Sequence, residues 1–431
     1  MLYFADGSPQ TEIAESRADA LIGAMLAQIE QAGPLRRVLL LPPDITRLHS
    51  WAGPLTVLLY RRLCRTAHVE IMPTLGTHAP MTPAEMDAMF PGIPHSAFRV
   101  HDWRNALVSL GEAPGEFVRR VSGNALDYSI RCEVDRLLVE GRWDRIISVG
   151  QLVPHEVIGI ANYNKNVFVG VGGKDVIDKT HFLGAVHGME RIMGRARTPV
   201  RDVFNYMSEH FGAALPPITY VLTVRARNAQ GRLATRGVFA GDDIECYERG
   251  AALCQRVNLD LLDAPLRKVV VFLDPAEFRT TWLGNKAIYR TRMAMADGGD
   301  LIILAPGVHR FGEDAGIDAL IRKYGYRGTP HTLRMVKENA DLAGNLSAAA
   351  HLIHGSSEGR FRITYCPGGL TREEVEGVGF EYADLAAMTA RYNPARLRDG
   401  ANALPDGEEV FYISNPALGL WGLKSQFSTS A

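Results

Sequence analysis

The sequence has no CxxC pair, no long uninterrupted apolar run and no stripe of a single charge. Its five cysteines, Cys64, Cys132, Cys246, Cys254 and Cys366, are odd in number and scattered. That argues against a disulfide framework and for reduced thiols in a cytoplasm, each serving as a small hydrophobe. No window approaches the roughly 18 apolar residues that a membrane-spanning helix requires. Met1 to Glu12 lacks the basic start and apolar stretch of a signal peptide, so the expected location is cytoplasmic, with no membrane partner. Lys and Arg number 47 against 48 Asp and Glu, and no basic run exceeds Arg61-Arg62; nucleic acid is not an expected partner. No histidine pair stands at HExxH spacing, which excludes a zinc-protease reading. There is no internal repeat and no low-complexity linker. Nothing in the sequence indicates an oligomeric state.

What is present is a folded α/β chain. Hydrophobic residues make up 46% and charged residues 22% of 431 residues, a globular composition in a length that calls for more than one core. Arg37 to Pro42, Val69 to Met72, Phe98 to Trp103 and Arg145 to Gly150 read as short strands, and Pro54 to Arg65 reads as a helix. Thr82-Pro83-Ala84-Glu85 is a capping-box start with proline at the first helical position. Two β-rich runs between Ile218 and Phe239 flank Asn228-Ala229-Gln230-Gly231, a hairpin signal, and Asp242 to Val257 looks helical. A second series starts at Lys268: a strand, a helix over Thr281 to Ala296, the strand Asp300 to Ala305, a helix over Asp314 to Lys323, and a strand over Arg360 to Tyr365. The expectation is two α/β domains with mainly parallel sheets and the active site in the cleft between them. The domains would be residues 1–264 and 265–405, with the tail 406–431, including Glu409 to Ser414, returning to the first domain.

Ligands of open α/β sheets bind beyond the carboxyl ends of the strands, so the polar residues after strands matter most. The first strand leads into Asp44-Ile45-Thr46-Arg47, the second into Gly76-Thr77-His78. Taken alone, His78 reads as a structural or surface histidine and Arg47 as a solvated one. The segment after Arg145 to Gly150 is denser, with His155, Lys165, Gly170, Gly172, Gly173 and His181. Its glycines would let backbone N–H groups approach a phosphate, although a plain tight turn explains such a run equally well.

Together these residues resemble the lactate racemase family, whose members use a nickel-pincer nucleotide to racemise or epimerise 2-hydroxy acids. The resemblance is carried by the D-x-T-R stretch Asp44 to Arg47, the G-T-H-x-P-M-T stretch Gly76 to Thr82, the triplet His155, Lys165 and His181 at the family's intervals, and Lys286 ahead of Asp297-Gly298-Gly299. It implies that Lys165 holds the nucleotide, a pyridinium thioamide/thioacid mononucleotide, covalently. His181 would ligate nickel, and the pincer's two sulfurs and a ring carbon would complete a square-planar site. Asp44, Thr46, Gly170, Gly172 and Gly173 would help bind the cofactor. His78 and His155 would be the acid/base pair, and Arg47 and Lys286 would bind the small-molecule substrate.

Such a residue set makes chemical sense. The C2 hydrogen of a hydroxy acid anion is very weakly acidic, and removing it as hydride avoids a carbanion beside the carboxylate. The intermediate is a planar 2-keto acid, and inversion needs an acid/base group on each face. The hydride acceptor must be a cofactor. The chain departs from the family where Asn162-Tyr163-Asn164 precedes Lys165, in place of a Ser-Gly-Gly-Arg pattern, and where Leu283, flanked by Trp282 and Arg290, replaces a glutamine. These polar additions suggest a sugar acid or other polar 2-hydroxy acid rather than lactate, although loop capping explains Asn162 and Asn164 as well. Two other readings are a lyase forming a Schiff base on Lys165 and a non-catalytic nucleotide or sugar-acid binding protein.

Overall fold

The computed structural model describes residues 1–427. It divides into two compact units, one of Met1–Leu183 and Ile192–Asn258, the other of Gly184–Arg191 and the chain from Leu259 on. The first unit is built on a six-stranded sheet in the order Leu2–Gly7, Leu233–Gly241, Ile218–Arg227, Arg145–Leu152, Arg37–Leu41, His68–Ile71. The last four are mutually parallel. The hairpin Ile218–Arg227/Leu233–Gly241 and the N-terminal strand add an antiparallel edge. Arg37–Leu41 is an apolar run with its last four residues buried, as a parallel strand covered on both faces must be. Val38, Leu40, Ile71, Ile147 and Val221 pack there against Ile22 and Leu26 of the helix Glu15–Glu30 and Leu55 and Leu59 of the helix Ala52–Leu63. The capping box at Thr82 forms, with both reciprocal bonds to Glu85. The run Phe98 to Trp103 does not form a strand: only Phe98 bridges to Ile71. The next ladder is the separate antiparallel pair Leu107–Ala113/Ile130–Asp135.

The second unit has its own six-stranded sheet, ordered Glu381–Tyr382, Arg362–Pro367, Met295–Ala305, Leu266–Phe272, Glu409–Ile413, Gly400–Ala403, parallel except for the last pair. Three expectations are corrected here. The tail does not return to the first unit, because Glu409–Ile413 pairs with Leu266–Phe272 inside the second sheet. The division falls at Asn258 rather than Ala264, because Asp260–Leu262 already pairs with Trp421–Leu423 of the same unit. The expected helix over Thr281 to Ala296 is two one-turn pieces, Thr281–Gly284 and Lys286–Tyr289, and Met295 already belongs to a strand. Cys64 is exposed and the other four cysteines are buried, all as free thiols. Among the described residues no helix is long and apolar enough to cross a membrane.

Because Glu409–Ile413 lies between two other strands, ending the chain at Asp406 should abolish the cooperative unfolding of the second unit, read by calorimetry and limited proteolysis. Unchanged protease resistance of that unit would contradict the pairing.

Candidate active site

Three neighbouring parallel strands of the first unit end side by side, and each feeds the site. Arg37–Leu41 leads to Asp44, His68–Ile71 to His78, and Arg145–Leu152 to His155. Pro43 and Thr74 continue the pairing one step beyond the strands. Gly76, at φ 56°, turns the second loop, and its N–H donates to the Gly170 carbonyl (2.8 Å), which ties the His78 loop to the segment after Lys165.

Hydrogen bonds settle which nitrogen of each histidine carries the proton. Asp44 accepts from His78 Nδ1 at 2.7 Å and from the Thr46 N–H and hydroxyl. Burial raises the Asp44 pKa, but the bonds from His78 and Thr46 outweigh it and hold the carboxyl below its ordinary range. His78 therefore donates from Nδ1 and leaves Nε2 as an open acceptor on an exposed ring. His181, on the helix Lys174–His187, places Nδ1 at 2.5 Å from the Ile177 carbonyl one turn back. A carbonyl can only accept, so Nδ1 bears the proton. Burial first, and then the Lys165 charge, lower the His181 pKa, so the ring is neutral and Nε2 carries a lone pair.

His155 has the opposite tautomer. It lies in the short hairpin Pro154–His155/Gly159–Ile160, and its Nδ1 accepts the Val157 N–H at 3.1 Å. Burial pushes its pKa well below the ordinary value, and any charge on Lys165 would push it further. The neutral ring must then carry its proton on Nε2, 3.0 Å from Lys165 Nζ. An imidazole N–H needs an acceptor, and Nζ accepts only as a neutral amine. The Lys165 pKa is accordingly lowered to about 8, by burial first and then by Arg47 and Arg201, with Glu156 opposing. The Arg47 charge also acts on His155, and His181 is near enough to lower its pKa if protonated, so the structure gathers Arg47, His155, Lys165 and His181. Arg47 is exposed and makes no ion pair among the described residues.

The loop that delivers Lys165 is strained. Asn162 and Tyr163 both take positive φ (70° and 61°), a costly pair for residues with side chains. The surroundings hold them there. Asn162 packs on Gly150, where a Cβ would lie 1.7 Å from its Nδ2. Tyr163 sits between Tyr220 and Tyr247, with ring centroids 4.3 and 5.5 Å away. Arg201, 1% exposed, donates to the Ile160 carbonyl (2.8 Å), the Asn162 carbonyl (3.2 Å) and Asn164 Oδ1, and lies 4.2 Å over the Tyr247 ring. Asn164 is fully buried and also donates to Asn205 and Ser208. Asn162, Tyr163 and Asn164 are thus scaffolding. Arg290, in the second unit, is spent on the Gly419 carbonyl, and the Trp282 ring lies against His351, 4.3 Å between centroids. Asn162 and Asn164, which favoured a sugar acid, are therefore committed within the protein, and Arg290 is engaged through Nη1 with its Nε buried and unbonded among the described residues.

The glycines also have a packing reason. A Cβ on Gly170 would meet the Asn166 carbonyl at 2.2 Å, one on Gly172 the Phe168 carbonyl at 1.8 Å, and one on Gly173 the Glu133 carboxylate at 2.6 Å. The N–H groups of Gly170 and Gly172 bond to Lys165 and Val169, so these two do not form the expected cradle of free N–H donors. Lys286 lies in the second unit, where it opens the turn Lys286–Tyr289 with its ammonium 5.6 Å from the Phe278 ring centroid.

The residue missed in the sequence is Asn166. Its Nδ2 donates to the Leu41 carbonyl (3.1 Å) and Ser148 Oγ (2.9 Å), and its Oδ1 accepts from Thr74 (3.0 Å). One side chain thereby ties the Lys165 helix to the ends of all three strands. Its signal was the Asn-Lys-Asn run, a poor helix former either side of the key lysine. Asn166→Leu keeps the volume and loses all three bonds, leaving buried groups unpaired. At about 1 kcal/mol per bond it should cost roughly 2–4 kcal/mol in urea denaturation; parental stability would show that Asn166 does not hold the strand ends.

Among the described residues no three His, Cys, Asp or Glu side chains are placed to hold a metal ion by themselves. His181 Nε2 is left without a hydrogen-bond partner among the described residues, and its pKa responds to the charge of Lys165. Residues 8–193 match the lactate racemase N-terminal domain family. No curated protein is close enough in sequence to be matched. Among solved structures, the fold is similar to a Thermotoga maritima protein at TM-score 0.78 and 23% identity, covering 98% of this chain and 100% of that one. It is also similar to the lactate racemase apoprotein from Thermoanaerobacterium thermosaccharolyticum at TM-score 0.70 and 16% identity, covering 97% and 94%. Residues 8–193 thus match a lactate racemase N-terminal domain, and the chain as a whole shares the fold of the lactate racemase apoprotein.

Proposed function

We propose that the chain is an isomerase that inverts C2 of a 2-hydroxy acid and works with a nickel-pincer nucleotide. The observation that carries this reading is the hydrogen-bond pattern: His78 and His181 each give Nδ1–H to a fixed acceptor, and Lys165, with a pKa lowered to about 8, lies 3.0 Å from His155. When bound, the nucleotide supplies the hydride acceptor that side chains lack. Lys165 is the attachment point and His181 the metal ligand.

The remaining steps belong to side chains. His78 takes the hydroxyl proton at Nε2, and Asp44 on Nδ1 orients the ring and stabilises the imidazolium that forms. His155 serves the other face. While Lys165 is a free amine it occupies His155 Nε2; attachment of the nucleotide would end that contact and leave His155 to exchange a proton with substrate, as base from the neutral ring and as acid from the imidazolium. Arg47 pairs with the substrate carboxylate. The substrate is proposed only as a 2-hydroxy acid, since the residues that suggested a more polar one are bonded elsewhere.

Protein co-expressed with a cofactor-producing pathway tests this by intact mass and metal analysis. The parent should carry an adduct and nickel, Lys165→Ala neither, and His181→Ala the adduct without nickel; an adduct that persists on Lys165→Ala would remove the assignment. His78→Ala should load normally but lose on the order of 10²–10⁴-fold in inversion rate, followed by chiral chromatography of a 2-hydroxy acid panel. Lys286→Ala is read separately, as a rise in KM with loading unchanged. The neutral amine also suits a Schiff-base lyase. Borohydride trapping of a carbonyl substrate on the nickel-free chain, with turnover, would favour that enzyme instead.

A further inference from the structure

We infer that His155 is a positioning residue for Lys165 before any cofactor is present: by donating Nε2–H to Nζ, it holds the lysine as a neutral, aimed nucleophile. The inference rests on the reading above only in taking Lys165 as the attachment point. Its basis is a chain of three atoms. The Val157 N–H occupies His155 Nδ1 at 3.1 Å. That bond forces the proton of a neutral ring onto Nε2. Nε2 then faces Nζ at 3.0 Å, and the only partner Nζ can be is an acceptor.

The alternative, an ammonium donating to Nε2, would put the imidazole proton on Nδ1, directly against the Val157 N–H. Two donors would then oppose each other in a buried hairpin, and Glu156 Oε2, 3.8 Å from Nδ1, is beyond hydrogen-bond distance for taking that proton. Nor does a carboxylate lie within ion-pair range of Lys165 among the described residues to hold the ammonium in place. The charges felt at Nζ are those of Arg47 and Arg201, which disfavour the ammonium, and Glu156, which favours it; His181 and Arg47 act on His155 in the same sense as Lys165. Strain and packing at Asn162 and Tyr163 fix where the amine points. The unloaded protein is thus built to present one reactive lysine, and the same histidine is freed for substrate when that lysine is consumed.

The test uses the full chain made without the cofactor pathway. Lysines are labelled with formaldehyde and cyanoborohydride from about pH 6 to about pH 11, and Lys165 is followed by peptide mass spectrometry. An ordinary lysine titrates near 10.4, whereas Lys165 should show a midpoint of about 8. At pH near 8 that corresponds to labelling roughly 100-fold faster than an equally accessible ordinary lysine. A midpoint near 10.4 in the parent would overturn the inference. In His155→Phe the midpoint should rise by roughly one unit and labelling near pH 8 fall about fivefold; an unchanged midpoint would remove His155 from the account. Should that variant not fold, 15N NMR of the parent decides: the Nε2–H tautomer of His155 supports the contact and the Nδ1–H tautomer excludes it. A chain that passes these tests yet never acquires nucleotide or nickel loses the proposed function and keeps this inference. One that loads and turns over with an ordinary Lys165 does the reverse.

Discussion

Holding a lysine in a recessed site with no carboxylate of the described residues in ion-pair range is the constraint on which the first unit's site depends. An unpaired ammonium taken out of water costs several kcal/mol. Releasing its proton costs about 1.4 kcal/mol for each unit between the ordinary lysine pKa and the ambient pH. Burial, then Arg47 and Arg201, bring the pKa down to about 8, so that above that pH the neutral amine is the cheaper state. It needs a hydrogen-bond donor, and His155 provides one only because a backbone N–H has taken its other nitrogen.

The rest of the first unit serves that arrangement. Asn166 anchors the turn after the lysine to three strand ends, while Arg201 and the Tyr163–Tyr220–Tyr247 stack hold the strained residues before it. His78 and His181 share one device. An acceptor fixed by the fold, Asp44 in one case and the Ile177 carbonyl in the other, takes Nδ1–H and leaves Nε2 open. Their surroundings separate them. His78 has a carboxylate to support an imidazolium and suits proton transfer. His181 is kept unprotonated mainly by burial, against the Ile177 carbonyl, which favours the proton, and a neutral ring is what the proposed metal-ligand role requires.

Much of this was legible in the sequence where a residue's own chemistry or a period carries it. Apolar runs such as RVLLL and KVVVF mark the parallel strands, Thr82-Pro83-Ala84-Glu85 marks a helix start, and short spaced motifs single out His78, His155, Lys165 and His181. Second partners were not legible. Nothing local shows that Asn164 is spent on Arg201, far along the chain, or that Arg290 is spent on Gly419, so residues that read as substrate-facing proved to be internal struts. The glycines after Lys165 looked like a phosphate loop because close backbone packing and backbone exposure select the same residue. The tail misled for a related reason, since a strand's sequence does not say which sheet it joins.

The central claim, inversion by hydride transfer at a site built around Lys165, is tested most directly by racemising a C2-deuterated 2-hydroxy acid in ordinary water with the loaded protein. A hydride held away from solvent returns to the carbon it left, whereas a proton on an imidazole exchanges with water. The account predicts that the inverted product retains its deuterium at early conversion. Complete washout, with inversion proceeding normally, would point to proton abstraction by the two histidines and would contradict it.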